Sequence, residues 1–264
     1  MRPLPLILAA LLAAPLQAQD MGLRSLETSD AGRGWEAVGR LNLGRKGFCT
    51  GALIAPDLVL TAGHCLFDKD TGARIDAAEI EFLAGWRNGR AEAYRHVRRA
   101  VAHPEYVYGG QSLEARVPFD LALLQLDQPI RLPSVAPFGT AAQPHRGAEV
   151  GVVSYAKDRA EAPSLQQVCE VLAERADMLM LSCDVDFGSS GAPIFSFEGG
   201  VARVVSVVSA KAEVEGRKVA LGTALEAPLA DLQAELLREE GAPRPGNVRV
   251  LRGGGATRFV RPTE

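Results

Sequence analysis

Apolar and polar positions trade places in short steps along most of this chain. The period-two alternation and short apolar runs predict strands at residues 37–43, 48–54, 58–62, 79–83 and 94–101, and at an almost wholly apolar run ending at Leu126. Turn residues separate them: Gly44-Arg45-Lys46-Gly47, Ala55-Pro56-Asp57, a polar loop over 68–77 and a glycine loop over 109–112. Residues 128–143 carry three prolines and read as a link to a second lobe. Strands resume at 150–155, 165–172, 178–183, 194–197 and 204–209, the second and third forming a hairpin around Glu174–Asp177. Helical periodicity is scarce until residue 223. From there to 240, Leu225, Leu229, Leu232, Leu236 and Leu237 fall on one face, and Gly241 suits the end of that helix. The pattern predicts an all-β protein, with a first lobe over 36–132, a second over 133–222, a helix over 223–240 and an irregular tail over 241–264. No repeat of solenoid period is present.

Composition narrows the class. At 264 residues and 47% hydrophobic, the chain can bury a substantial core. A formal net charge of -3 sets up no field to hold nucleic acid. The tail has five arginines and Gly253-Gly254-Gly255, which reads as solvated surface rather than a nucleic-acid or membrane site. Residues 1–18 stand apart. Arg2 precedes an apolar run from Leu4 to Leu16 with small residues at Ala13, Ala14 and Ala18, which reads as a secretory signal cleaved after Ala18. Pro5 and Pro15 break the run, which is too short for a membrane span. Residues 19–35 read as an amino-terminal arm or short propeptide. Export to an oxidising compartment makes Cys49, Cys65, Cys169 and Cys183 two disulfides, with three pairings open.

Three stretches carry candidate chemistry. The first is Thr61-Ala62-Gly63-His64-Cys65. A zinc site fits it poorly, because Cys49 and Cys65 lack close spacing and no second histidine is near. In the second, Asp120 sits at the mouth of the apolar strand 121–126, where a buried carboxylate is costly without a donor partner. The third is Cys183 to Pro193, C-D-V-D-F-G-S-S-G-A-P. Glycines let a backbone turn sharply and converge N–H groups on one point, and a serine at such an apex is an exposed nucleophile beside donors. Each stretch also has a plain structural reading: a core histidine, a solvated acid, a hairpin turn. His103, before Pro104, has no neighbours in sequence that give it a role.

In the order His64, Asp120, Ser190, these stretches resemble the trypsin/chymotrypsin-like serine proteases. Members of that family place His in T-A-x-H-C, Asp in D-I/L-A-L-L and Ser in G-D-S-G-G-P. This chain has T-A-G-H-C, D-L-A-L-L and G-S-S-G-A-P, and the resemblance covers roughly 36–225. It implies two six-stranded antiparallel β-barrels of chymotrypsin-like fold, with the site between them. It also implies an exported serine endopeptidase that acts through an acyl-enzyme. Ser190 would be the nucleophile, His64 the general base and acid, Asp120 its orienting carboxylate, and the N–H groups of Gly188 and Ser190 the oxyanion hole. By the same resemblance Cys49 pairs with Cys65, leaving Cys169 with Cys183. No metal and no cofactor is implied. The partner is a protein or peptide substrate, and the mature chain is expected to be a monomer without a membrane span.

The departures are informative. In trypsin-like zymogens an aspartate just before the nucleophile pairs with a freed amino terminus; here that residue is Ser189, and the nearest match to an I-V-G-G start is Glu36-Ala37-Val38-Gly39. Activation by that ion pair is not expected. G-S-S-G-A-P is closer to the V8-like, glutamyl endopeptidase-like branch, which carries G-N-S-G-S-P. The pocket histidine of the glutamyl enzymes has no counterpart in 204–209, so glutamate specificity is not expected. Asp184 lies six residues before Ser190, the offset of trypsin's specificity acid, and is a candidate for binding a basic side chain; otherwise it pairs within the hairpin or with Lys211. Ser209 and Ala210 align with the strand that lines the substrate. Two other readings remain: an inactive protease-fold binding protein, and an α/β-hydrolase esterase. Ala192 and the order of the three residues disfavour the esterase.

Overall fold

The computed structural model describes residues 22–109 and 112–241. In chain order the elements are β1 (Leu23–Ser25), β2 (Val38–Leu43), β3 (Phe48–Ala55), β4 (Leu58–Thr61), β5 (Ile80–Ala84), β6 (Ala93–Ala102), the short helix α1 (Leu113–Arg116), β7 (Ala122–Leu126), β8 (Glu149–Ala156), β9 (Arg159–Arg175), β10 (Met178–Leu181), β11 (Pro193–Glu198), β12 (Val201–Val214), β13 (Arg217–Ala224) and α2 (Glu226–Gly241). The signal-like segment 1–18 and the tail from 242 lie outside the described residues.

Strands β2-β3-β4-β7-β6-β5 close into a six-stranded antiparallel barrel. Alternation along β6 turns Ala93, Val97 and Val101 inward, while β7 is buried along its whole length. The polar residue of β7, Gln125, is accommodated because its Oε1 accepts the Arg99 Nε–H at 2.8 Å. The second barrel runs β9-β10-β13-β12-β11-β8, and the β8–β9 pairing closes it. With no free edge inside either ring, both barrels satisfy their backbone ladders internally. Phe82 and Leu123 fill the first core, Leu179 and Ile194 the second, and all four are fully buried.

The segment between the barrels has no regular strand, yet it is tied to both. Its Phe138 N–H donates to Leu53 on β3 at 2.9 Å, and its Ala141 N–H donates to Val204 on β12 at 3.0 Å. Phe138 also packs edge-on against Phe195 of β11 (ring centroids 4.7 Å apart), and Trp35 from the amino-terminal arm closes the same cluster 5.1 Å from Phe195. Arm, linker and second barrel therefore share one aromatic contact.

Four features of the structure go beyond or against the expectations from the sequence. Residues 217–224 form β13, the sixth strand of the second barrel, so Thr223 and Ala224 are strand rather than helix and the barrel ends past residue 222. Its run V-A-L-G-T-A-L flows into the leucine pattern of α2 without a break, which hid the boundary. Second, β9 extends back to Arg159, where polar residues obscure the alternation. Third, the arm is not featureless: β1 adds to the β9 edge, with Leu23 opposite Gln166, and Leu26 behind it is fully buried. Fourth, His103 is a core residue. It stacks on Phe119 and faces Asp231 of α2 at 3.6 Å, so it helps dock the helix on the first barrel. Among the described residues no helix is long and apolar enough to cross a membrane.

Helix α2 joins the first core through the leucines its period predicts, Leu229, Leu232 and Leu236, while Leu237 faces solvent. Leu232 is fully buried. Leu232→Ala is expected to lower unfolding free energy by about 2–5 kcal/mol in urea titrations. A loss below about 1 kcal/mol would mean the helix contributes little to the core.

Candidate active site

Strand pairing brings two of the candidate residues together. Thr61 at the end of β4 lies opposite Ala122 at the start of β7. Three residues past Thr61 the chain reaches His64, in a 3₁₀ turn over Gly63–Leu66; two residues before Ala122 it leaves Asp120, at the end of a 3₁₀ turn over Val117–Phe119. A disulfide from Cys49 on β3 to Cys65 (Cα atoms 6.3 Å apart) staples the His64 turn to the barrel wall. The second bridge joins Cys169 on β9 to Cys183, and no cysteine is free. Cys49, Cys65 and His64 lie within 4.8 Å of one another, as metal ligands would, but both sulfurs are spent on the disulfide and offer no thiolate.

The Asp120 carboxylate is almost wholly buried, and its donors account for that. His64 Nδ1 lies 2.7 Å from Oδ2, the His64 backbone N–H donates to Oδ1 at 2.7 Å, and the Ser209 hydroxyl donates to Oδ2. An ionised carboxylate only accepts, so in the neutral imidazole of His64 the proton sits on Nδ1 and Nε2 is the acceptor nitrogen. Burial pushes the Asp120 carboxyl up. The neighbouring imidazole and the hydrogen bonds from His64 and Ser209 outweigh that and hold it below the usual carboxylate range. Ser209 was expected only as pocket lining. Its bond to Asp120 has no local sequence signal, because the two residues lie 89 positions apart.

The Gly188–Gly191 turn comes from the second barrel and is gripped by the first. Gly188 and Gly191 have φ of 98° and 76°, the left-handed region that glycine adopts freely. Thr50 on β3 donates its N–H to the Ser190 carbonyl at 2.8 Å and its hydroxyl to the Gly188 carbonyl at 2.8 Å. A Cβ on Gly191 would stand 2.0 Å from the Thr61 hydroxyl and 2.4 Å from the Thr50 carbonyl, so no larger residue fits. Among the described residues, no acceptor takes the N–H of Gly188 or of Ser190. Ser189 is fully buried. Its hydroxyl lies 3.2 Å from the Ser154 hydroxyl and 3.3 Å from the Tyr155 carbonyl, so a neutral hydrogen-bonded group stands where trypsin-like zymogens carry an acid.

Ser190 and His64 line one cleft of about 670 Å³ between the barrels, floored by Phe48, Phe67 and the Cys49–Cys65 disulfide. Ser209 and Ala210 line a second, smaller pocket beside Ser190. Asp184 does not line it. It is exposed in an adjoining trough, with its N–H donated to Gln166 Oε1 at 2.9 Å. The acid at the pocket is Asp186, paired with Lys211 at 2.7 Å, so the lysine offered by the sequence as a partner for Asp184 binds the next acid along instead.

A serine, an imidazole with a free acceptor nitrogen, and a buried carboxylate on its other nitrogen can transfer acyl groups. A family model for the trypsin-like peptidase domain matches residues 49–205, more than half the chain. The chain belongs to that family. Among curated relatives of this trypsin-like domain, the glutamyl endopeptidase of Bacillus licheniformis is 26% identical over 151 residues, covering 56% of this chain and 45% of the relative. The lectizyme of Glossina austeni is 36% identical over 107 residues, 39% of this chain and 34% of the relative. Mouse serine protease 23 is 28% identical over 166 residues, 56% and 42% respectively. The chain thus spans less than half the length of these relatives. A solved Glu endopeptidase in complex with MPD superposes with a TM-score of 0.66 over 81% of this chain and 96% of its own, at 16% identity, and shares the two-barrel fold. The V8-like resemblance of G-S-S-G-A-P agrees with the match to the Bacillus licheniformis enzyme.

The carboxylates set an acid limit. Asp68, which accepts from Lys46 and from the N–H groups of Asp70 and Thr71, is held at about 2, and Asp120 is also depressed. Both folded values lie below the unfolded value of ~3.9, so their stabilisation is complete above that pH and is lost as pH falls. Urea midpoints are expected to be flat from pH 7 to about 5 and to drop between about pH 4 and 2, less steeply in Asp120→Asn. A midpoint that rises on acidification would contradict the assignment.

Proposed function

We propose that the protein is an exported serine endopeptidase that cleaves peptide bonds through an acyl-enzyme on Ser190. The observation that carries this reading is the 2.7 Å contact of buried Asp120 with His64, which lines the same cleft as Ser190. Ser190 Oγ attacks the scissile carbonyl and passes its proton to His64 Nε2. His64 returns that proton to the leaving amine as the C–N bond breaks. Water, deprotonated by the same nitrogen, then releases the acid product and restores the serine. Asp120, held by Ser209 and the His64 N–H, keeps the imidazole in the needed tautomer and stabilises its charged form. The N–H groups of Gly188 and Ser190 serve the developing oxyanion, since a tetrahedral intermediate needs preorganised donors.

The hydroxyl of Ser189 supports activation without an amino-terminal ion pair. It is neutral and bonded inside the second barrel, so no buried charge requires a partner. Export is supported by the signal-like residues 1–18 and by two disulfides, which persist in oxidising compartments. The partner is then a protein or peptide substrate outside the cytoplasm.

The mature protein is expected to react covalently with a fluorophosphonate probe. Ser190→Ala should abolish labelling and lower kcat by roughly a million-fold, as loss of one triad member does elsewhere. If folded, disulfide-bonded protein fails to label, the endopeptidase reading gives way to an inactive protease-fold binding protein.

A further inference from the structure

The pocket beside Ser190 is walled by two separate segments. One is the run before the nucleophile, Val185 to Phe187, and the other is β12 from Val208 to Lys211. A single side-chain pair ties them together. Lys211 Nζ lies 2.7 Å from Asp186 Oδ1 and sits over the Phe187 ring, 4.4 Å from its centroid. The pocket measures about 170 Å³, and between Ser190 and this tie it is lined by Val185, Val208, Ser209 and Ala210. On the other side lies a trough of about 440 Å³ that shares Val185, Asp186 and Lys211 with the pocket and adds Asp184, Glu213 and Lys218.

We propose that the Asp186–Lys211 pair is a strap that sets how deep a substrate side chain reaches, restricting the residue before the scissile bond to small aliphatic types and shutting it off from Asp184. This rests on the endopeptidase reading and names its substrate class. The lining argues for it: Val185, Val208 and Ala210 are apolar, and the Ser209 hydroxyl among them is already donated to Asp120. Charge argues for it too. An ammonium paired to a carboxylate presents no net charge, so neither an acidic nor a basic side chain finds an unshared partner there. Asp186 and Lys211 line both the pocket at Ser190 and the trough that holds Asp184, so the pair stands where the two compartments meet. The strap also explains why Asp184 fails as a pocket acid although its offset from Ser190 matches trypsin's: the compartment it belongs to is separated from the nucleophile.

The test profiles cleavage of peptides that differ only before the scissile bond, as ratios of kcat/KM within each protein, so that a general loss of activity does not imitate a change of preference. Wild type is expected to favour alanine or valine over lysine, phenylalanine and glutamate. Lys211→Ala removes the cation and opens the way to Asp184 and Asp186, and should shift the lysine-to-alanine ratio towards lysine by about tenfold or more. Asp186→Ala should admit larger apolar residues without that gain for lysine. Fluorophosphonate labelling of wild type separates the two layers of the argument. A protein that labels but prefers lysine, phenylalanine or glutamate, or whose ratios stay unmoved in both variants, overturns the strap and leaves the endopeptidase reading standing. A protein that does not label overturns both.

Discussion

The site depends on how closely the Gly188–Gly191 turn approaches the first barrel. Thr50 holds that turn at both ends, by its N–H to Ser190 and its hydroxyl to Gly188, and its carbonyl receives the Thr61 hydroxyl at 2.8 Å. Its hydroxyl also accepts the Tyr155 N–H from β8, at 3.1 Å. One buried threonine therefore links β3, β4, β8 and the turn. The contact requires the missing side chain at Gly191, where a Cβ would overlap Thr61 and Thr50. Such a contact is costly to loosen, because each bond broken leaves a buried backbone group without a partner. It carries the turn from the second barrel to the cleft where the first barrel presents His64.

From this follows a division of labour. The first barrel supplies the imidazole and its carboxylate, adjacent because β4 and β7 pair in a fixed register. The second supplies the serine, its neighbouring N–H groups and, through Ser209, one more donor to Asp120. Asp120 is thus bonded from both sides of the interface, and a small shift of one barrel against the other would strip it of a donor while it stayed buried. The aromatic group of Trp35, Phe138 and Phe195 works against such a shift, since it pins the arm and the linker to the strand that follows the turn.

Much of this was legible in the chain, and for a physical reason. Alternation in β2 and β6, and short apolar runs bounded by turn residues elsewhere, place β2 to β6 within about one residue of their observed bounds and the end of β7 at Leu126. Where both faces are covered, or where strands project beyond the barrel, alternation fades: β13 merged with the helix, and β9 and β12 were read short. His64, Asp120 and Ser190 stood out because their motifs are local, and the two disulfides followed from the family resemblance. Contacts between distant segments were silent. Nothing near Ser209 points to Asp120, and the sequence offers Lys211 to Asp184 rather than to Asp186, because each contact is settled only when β12 is laid beside its neighbours.

Those two β12 contacts differ in what they can do. The Ser209–Asp120 bond is buried, short-range and shielded from salt, so it fixes geometry. The Asp186–Lys211 pair has both side chains about half exposed, at 51% and 53%, and an exposed ion pair stabilises a fold by only ~0–1 kcal/mol. Its small worth to the fold is compatible with a large effect on recognition. Specificity is a difference between two bound states, so a contact that blocks one side chain by occupying its path need not be strong. The same weakness makes it adjustable: β12 can exchange the residue at 211 at little cost to the barrel, whereas one position from Ala210 the hydroxyl of Ser209 is committed to the carboxylate. A permanent constraint for chemistry and a replaceable one for selection therefore sit two residues apart on one strand.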